Sequence, residues 1–183
     1  MKHLVIDPTH SDLGFKIRHL MVSNVKGTLT DYSGGMSYTS EDMSDAQIRF
    51  EAEVKSISTG NSDRDTHLNG EDFFNTERFP KMYFESTYLN LTDGKMRGEM
   101  TIKDTTRTID LEVEYNGKST DPWGNTKHGF EISGVINRSD FDLTWNATLE
   151  TGGVLLSDEV RLNLDVQMME LAGEMEPQSE NAE

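Results

Sequence analysis

In residues 46 to 54 the even positions are Ala46, Ile48, Phe50, Ala52 and Val54, and the odd ones Gln47, Arg49, Glu51 and Glu53. A helix would scatter both classes around its circumference, whereas a strand with one dry and one wet face separates them. The same period runs through 109 to 115, where Ile109, Leu111, Val113 and Tyr115 interleave with Asp110, Glu112 and Glu114. It returns in 160 to 168, where Val160, Leu162, Leu164, Val166 and Met168 interleave with Arg161, Asn163, Asp165 and Gln167. Three such segments make a half-buried antiparallel sheet the governing architecture.

Weaker copies fill the rest of the chain: Phe15, Ile17 and His19; Met82, Phe84, Ser86 and Tyr88; Met96, Gly98, Met100 and Ile102; a segment from 129 to 136; and a long Thr- and Gly-rich one from 24 to 38. Together they make eight strands. Turns are expected at Ser33-Gly34-Gly35, Thr92-Asp93-Gly94, Asn116-Gly117 and Thr151-Gly152-Gly153, which supply residues tolerant of positive φ. Eight antiparallel strands either split into a sandwich or close into a barrel. Charge on the outward positions of nearly every strand favours closure.

One stretch breaks the β pattern. Asn61 or Ser62 can cap a helix over 62 to 69, Asp63 and Asp65 favour its first turn, and Gly70 stops it. Phe73-Phe74 and Phe79-Pro80 follow. A short helix with paired aromatics between strands suits the plugging or guarding of one barrel end. With no repeat or linker in view, the reading is one domain over 1 to 171. The acidic stretch 172 to 183 holds four Glu and no aromatic or β-branched residue, and is expected to be a disordered tail.

Composition narrows the function. The chain carries 17 Lys plus Arg against 33 Asp plus Glu, a formal net charge of -16, which argues against nucleic acid and against electrostatic docking on an anionic membrane. The absence of cysteine excludes disulfides and thiolate chemistry. His3, His10, His19, His67 and His128 include no pair at i, i+2 or i, i+4, so no metal is expected; Asp63, Asp65 and His67 read more simply as a solvated helix start. No G-x-S-x-G elbow is present, and the Gly-rich stretches lead into strands, so neither a nucleophilic triad nor a dinucleotide cofactor is supported. No apolar run is long enough for a leader or a membrane span, and a cytoplasmic location is expected. What remains is an interior rich in Phe and in Met, 10 of the latter. Met82, Met96, Met100 and Met168 would either fill a core or line an adaptable pocket, and cores and pockets share that vocabulary.

Several long motifs, in order, resemble the YceI-like family of lipid- or polyisoprenoid-binding proteins. They are HSDLGFKIRHLMVSNVKG (10 to 27), SISTGNSDRDTHLNGEDFFNTERFPKMYFES (56 to 86), GEMTIKDTTRTIDLEVEY (98 to 115), and GFEISGVINRSDFDLTWN with LETGGVLLSDEVRLNLDV (129 to 166). The resemblance implies an all-β fold, an eight-stranded antiparallel lipocalin-like barrel with one short helix near 61 to 70. It further implies non-catalytic binding, storage or transport of a long-chain amphiphilic isoprenoid, a polyisoprenoid, an isoprenoid quinone or a precursor, and a homodimer.

By position, the tunnel wall it implies includes Phe15, Ile17 and His19, Phe84 and Met100, and Phe130, Ile132 and Ile136, with Phe73, Phe74 and Trp145 at the mouth. Arg64, Asp65 and His67 lie in the helix motif and either meet a polar head group or pin the helix. Arg138 and Asp140 read as structural. The rival reading is a hydrolase or isomerase acting on a lipid-like substrate through His19 or His67 beside an acid. A third is an interaction module with a solid core and an exposed apolar patch.

Overall fold

The structure, a computed structural model, describes residues 1–150 and 152–171; the acidic tail expected over 172 to 183 lies outside them. Eleven strand segments follow one another: β1 (Lys2–Ile6), β2 (Asp12–His19), β3 (Ser23–Leu29), β4 (Tyr32–Tyr38), β5 (Gln47–Glu53), β6 (Ile57–Ser58), β7 (Lys81–Asn90), β8 (Lys95–Ile102), β9 (Thr105–Thr120), β10 (Thr126–Asn137) and β11 (Leu156–Glu170). Six of them are halves of three interrupted strands. In one continuous hairpin β2 pairs with β3, Phe15 opposite Gly27, and β1 pairs with β4, Val5 opposite Gly35. In the same way β5 pairs with β4 and β6 with β3. The result is eight antiparallel staves, each hydrogen-bonded to its neighbour in the chain. β11 closes the ring by pairing with both β1, Ile6 opposite Met168, and β2, Ile17 opposite Val160. This is the eight-stranded barrel expected from the alternation, with a single α-helix, α1 (Ser62–Asn69), among the described residues.

The interruptions have local causes. Between β1 and β2, Pro8–His10 forms a 3-10 turn whose cap, Asp7, accepts from Thr9 N and Thr9 Oγ1 and from Lys127 Nζ at 3.0 Å. The Thr9 hydroxyl and then Lys127 hold the Asp7 carboxyl well below the usual carboxylate range. The segment read as one strand from 24 to 38 breaks at Thr30-Asp31, where Thr30 turns to the side chain and backbone of Ser56.

Two expected turns lie elsewhere. Ser33-Gly34-Gly35 sits inside β4, because a Cβ on Gly34 would meet Ile6 Cδ1 at 2.7 Å and Arg49 O at 2.9 Å; the glycine permits close approach. Asn116-Gly117 sits inside β9, where Gly117 at φ 91° marks a bulge opposite Gly129, and the reversal comes at 121 to 125. Conversely, β1 carries a strand that the sequence pattern left unread, and β2 turns into β3 through Leu20 and Met21 with no glycine.

Inside the ring, apolar residues from every stave converge, Leu4, Met36, Phe84, Met96, Leu111, Phe130 and Val166 among them. One end is filled and carries a polar group. His128 is fully buried, with Nδ1 at 2.9 Å from Tyr115 Oη and Nε2 at 3.5 Å from Glu170 Oε2. Lys2 Nζ reaches Glu170 Oε1 at 3.1 Å. Burial pushes the His128 imidazole below its ordinary pKa, while the hydrogen bond from Lys2 lowers Glu170. Toward the other end the interior is hollow.

Candidate binding cavity

The hollow is a cavity of about 380 Å³. An apolar void less than half that size already stays dry and takes up small apolar molecules. Inward residues of β11 from Leu156 beside the mouth to Met168 beside the His128 plug border it, so it extends along the barrel axis between the two. The space is therefore long and narrow. Its width is set by aromatic rings that lie over glycines: Phe15 covers Gly27, and Phe84 covers Gly98, where an added Cβ would sit 2.4 Å from Phe84 Cζ.

Phe15, Ile17, His19, Phe84, Met100, Phe130, Ile132 and Ile136 of the expected tunnel wall and Phe73, Phe74 and Trp145 of the expected mouth all line this cavity; of the helix-motif residues Arg64 and His67 line it and Asp65 does not. Among the described residues its only polar lining side chains are His19, Thr59, Arg64, His67 and Arg138, and these gather at the open end. No Asp, Glu or Lys faces it, in a chain with 33 acids.

The mouth is built by α1 and two loops. Asn61 caps the helix by accepting from Arg64 N at 2.9 Å, as its position before two acidic residues predicts. Asp65 then ties the helix down, accepting from Thr59 N at 2.9 Å and Thr59 Oγ1 at 2.6 Å. Arg64 donates from Nε to Thr59 Oγ1 at 2.7 Å and from Nη2 to Thr59 O at 2.9 Å, so it both braces this corner and borders the cavity. His67 stands edge-on between two rings, 5.0 Å from the Phe73 centroid and 4.8 Å from that of Trp145. Its Nε2 lies 2.9 Å from Asp72 Oδ2.

Trp145 is held by Arg138, whose expected structural role in the turn extends to the cavity wall. Arg138 is buried at the end of β10 and donates from Nη1 to Leu143 O at 2.6 Å and Trp145 O at 2.8 Å, and from Nε to Ser157 O at 2.9 Å. Burial lowers its pKa, yet a guanidinium keeps its charge. Asn146 completes the fixture, its side-chain amide bonded to both N and O of Leu156. Only the cavity contacts mark Arg138 as part of the site; nothing in the residue order could.

Among the described residues no three His, Asp or Glu side chains come together as a metal site, and no helix is long and apolar enough to cross a membrane.

Comparison with known proteins gives a consistent result. The family profile described as YceI-like domain matches residues 4–168. A UPF0312 protein of Staphylococcus epidermidis is 39% identical over 162 residues, 88% of this chain and 94% of its own. The crystal structure of a Campylobacter jejuni YceI protein superposes with a TM-score of 0.70 at 33% identity, covering 91% of this chain and 96% of that one. A polyisoprenoid binding domain from Saccharophagus degradans, implicated in plant cell wall breakdown, shares the fold with a TM-score of 0.65 at 14% identity, over 90% and 97% of the two chains.

Proposed function

The chain belongs to the YceI-like domain family, and from that premise we propose that its barrel binds, stores or carries one long-chain amphiphilic isoprenoid without chemical turnover. A polyisoprenoid, an isoprenoid quinone or a precursor of one fits this description. The observation that carries the reading is the polarity of the cavity: a long apolar bore ending in a rim of His19, Thr59, Arg64, His67 and Arg138. An amphiphile has the complementary shape, an apolar tail and one polar end. Left empty, such a bore forgoes dispersion contacts with its apolar lining, a cost that grows with the unfilled volume. A bound chain recovers much of this, less the cost of its own ordering. The S. degradans polyisoprenoid binding domain, alike in fold, points to the same class of ligand.

Organic extraction of the purified full chain, followed by mass spectrometry, tests the reading. The expected result is a prenyl chain at about one per barrel. A folded barrel that yields no lipid, or that takes up no added prenyl chain after stripping, overturns it.

The hydrolase or isomerase reading draws on one contact, His67 Nε2 to Asp72 Oδ2 at 2.9 Å on the rim. It expects the mass of a bound chain to change on incubation and the change to stop in a His67→Gln variant. The carrier reading expects the extracted chain to be unaltered with time in both proteins.

A further inference from the structure

The β2–β3 hairpin combines features that the cavity does not require. Its tip exposes Leu20, Met21 and Val22, at 39%, 59% and 80% of their surface, with Val154 exposed alongside. Leu20 and Met21 occupy the two central positions of the turn at φ 52° and 59°. That left-handed pair is the conformation Asn-Gly adopts without strain, so two long apolar side chains are held outward where local geometry favours others. The tip borders the tunnel mouth: Leu20 N donates to Leu155 O at 2.8 Å, and both His19 and Leu155 line the cavity.

Behind the tip the charge inverts. Residues 13 to 30 include Lys16, Arg18, His19 and Lys26 and no acid, in a chain of net charge -16. Lys26 stands opposite Lys16, and Lys16 opposite Arg161, so one outward row across β3, β2 and β11 is cationic throughout. Like charges set directly opposite one another repel. None of Lys16, Arg18, Lys26 and Arg161 has an ion-pair partner among the described residues, although Arg49, Lys81, Lys95 and Arg97 on other staves all do. The acids on these strands lie at the two ends of the row: Asp12 and Asp165 at the far end, and Asp158 and Glu159 at the start of β11, where Asp158 is taken up by Ser139 N and Oγ.

We propose that this hairpin docks the barrel on an anionic lipid bilayer, with Leu20, Met21 and Val22 entering the acyl layer and the cationic row facing the head groups. Arg18 lies about 7 Å, and Lys16 about 13 Å, behind Leu20 along the strand, within reach of the surface field when the tip is immersed by 5–10 Å as interfacial segments are. The acidic surface, Asp63, Glu71 and Asp72 beside α1 included, is repelled, which turns the hairpin side of the barrel toward the membrane and leaves the α1 side of the tunnel mouth in water. Any use of the docking by the tunnel rests on the carrier reading; the docking itself does not.

Flotation of the full chain with vesicles tests it, using phosphatidylcholine alone and phosphatidylcholine mixed with phosphatidylglycerol. The expected result is co-flotation with the mixed vesicles, weakened by high salt. Leu20→Asn with Met21→Gly removes the apolar tip while installing the residues this turn prefers, so the variant folds at least as well and is expected to lose flotation. Lys16→Gln with Lys26→Gln is expected to weaken partitioning by roughly tenfold to thirtyfold. Failure of the wild type to float with the mixed vesicles overturns the proposal, as does equal flotation of the Asn-Gly variant. Loss of self-association in that variant with vesicle binding unchanged overturns it too, in favour of a second copy as the occupant. Flotation without any extractable prenyl lipid keeps the docking surface and sinks only the carrier reading.

Discussion

Phe15 and Gly27 face each other across β2 and β3, and the ring lies where a side chain on Gly27 would be. In Gly27→Ala the new Cβ would fall 2.4 Å from Phe15 Cζ, 2.7 Å from Cε1 and 3.1 Å from Ser58 O. The backbone at Gly27 is not left-handed, so alanine brings no conformational strain and restricts the unfolded chain, worth about 0.5–1 kcal/mol. The clash opposes this. Overpacking costs about 1–3 kcal/mol, and because the ring can swing only into the hollow, the net loss is expected near 1–2 kcal/mol. Phe15→Ala alone removes a ring that borders empty space on one side, so its cost is expected below the 3–5 kcal/mol of a solidly packed phenylalanine, at about 2–3 kcal/mol. With the ring gone, Gly27→Ala meets only Ser58 O and is expected to be neutral within a few tenths. The coupling energy is therefore about 1–2 kcal/mol, favourable to the double variant. Urea unfolding of the four proteins, each stripped of lipid, measures it. Lipid uptake gives a second reading, since Gly27→Ala turns the ring into the bore and lowers capacity, which Phe15→Ala restores. Stabilities that add within about 0.5 kcal/mol would refute the claim that this glycine exists for the ring.

Two further outcomes follow from the ends of the barrel. Burial holds the His128 imidazole below the ordinary histidine pKa of about 6.5, so the unfolded chain binds the extra proton first. Stability is then complete above about pH 6.5 and declines as pH falls, and lowered Glu170 adds a second loss below about pH 4.5. His128→Gln is expected to flatten the first part of a plot of urea midpoint against pH; an unchanged slope would assign the decline to other groups. At the mouth, Arg138→Met leaves the carbonyls of Leu143, Trp145 and Ser157 without their donor, a loss of about 3 kcal/mol. Because Trp123 is 84% exposed, a red shift of the emission from the half-buried Trp145 reports that residue coming loose, and Arg138→Lys is expected to reverse only part of it. Unchanged emission in the methionine variant would show that Arg138 does not hold Trp145 at the mouth.

The staves were legible because a barrel wall forces one period on the chain: Ile48, Phe50 and Ala52 must point inward while Arg49, Glu51 and Glu53 meet water. The helix was legible because its cap is local, Asn61 bonding a backbone group three residues on. The turns were harder, since glycine serves two masters. Gly94 turns the chain at φ 64°, whereas Gly34 admits Ile6 from a strand some thirty positions away. Leu20-Met21 reverses the chain without any of the usual residues, and no local preference announces it. The cavity itself could not be separated from a core by composition, because Met100 and Phe130 would serve either. Arg138 reads from its turn as structural, in keeping with its three backbone acceptors, while its place on the cavity wall depends on the fold and is encoded in no side-chain pattern.

The order of the staves also bears on how the molecule comes into being. Every pairing but one joins segments adjacent in the chain, and these can form as soon as each hairpin is available. The exception joins β11 to β1 and β2, tying Leu4 to Glu170 and Phe15 to Leu162 across nearly the whole length. Closing so long a loop is entropically the slowest contact to make, and β11 leaves the ribosome after the ten described strands that precede it. Until it arrives there is a curved sheet with two raw edges and an apolar face open to solvent. The container appears only with its final stave, so damage to β11 is expected to cost the protein its interior and its solubility in the same event.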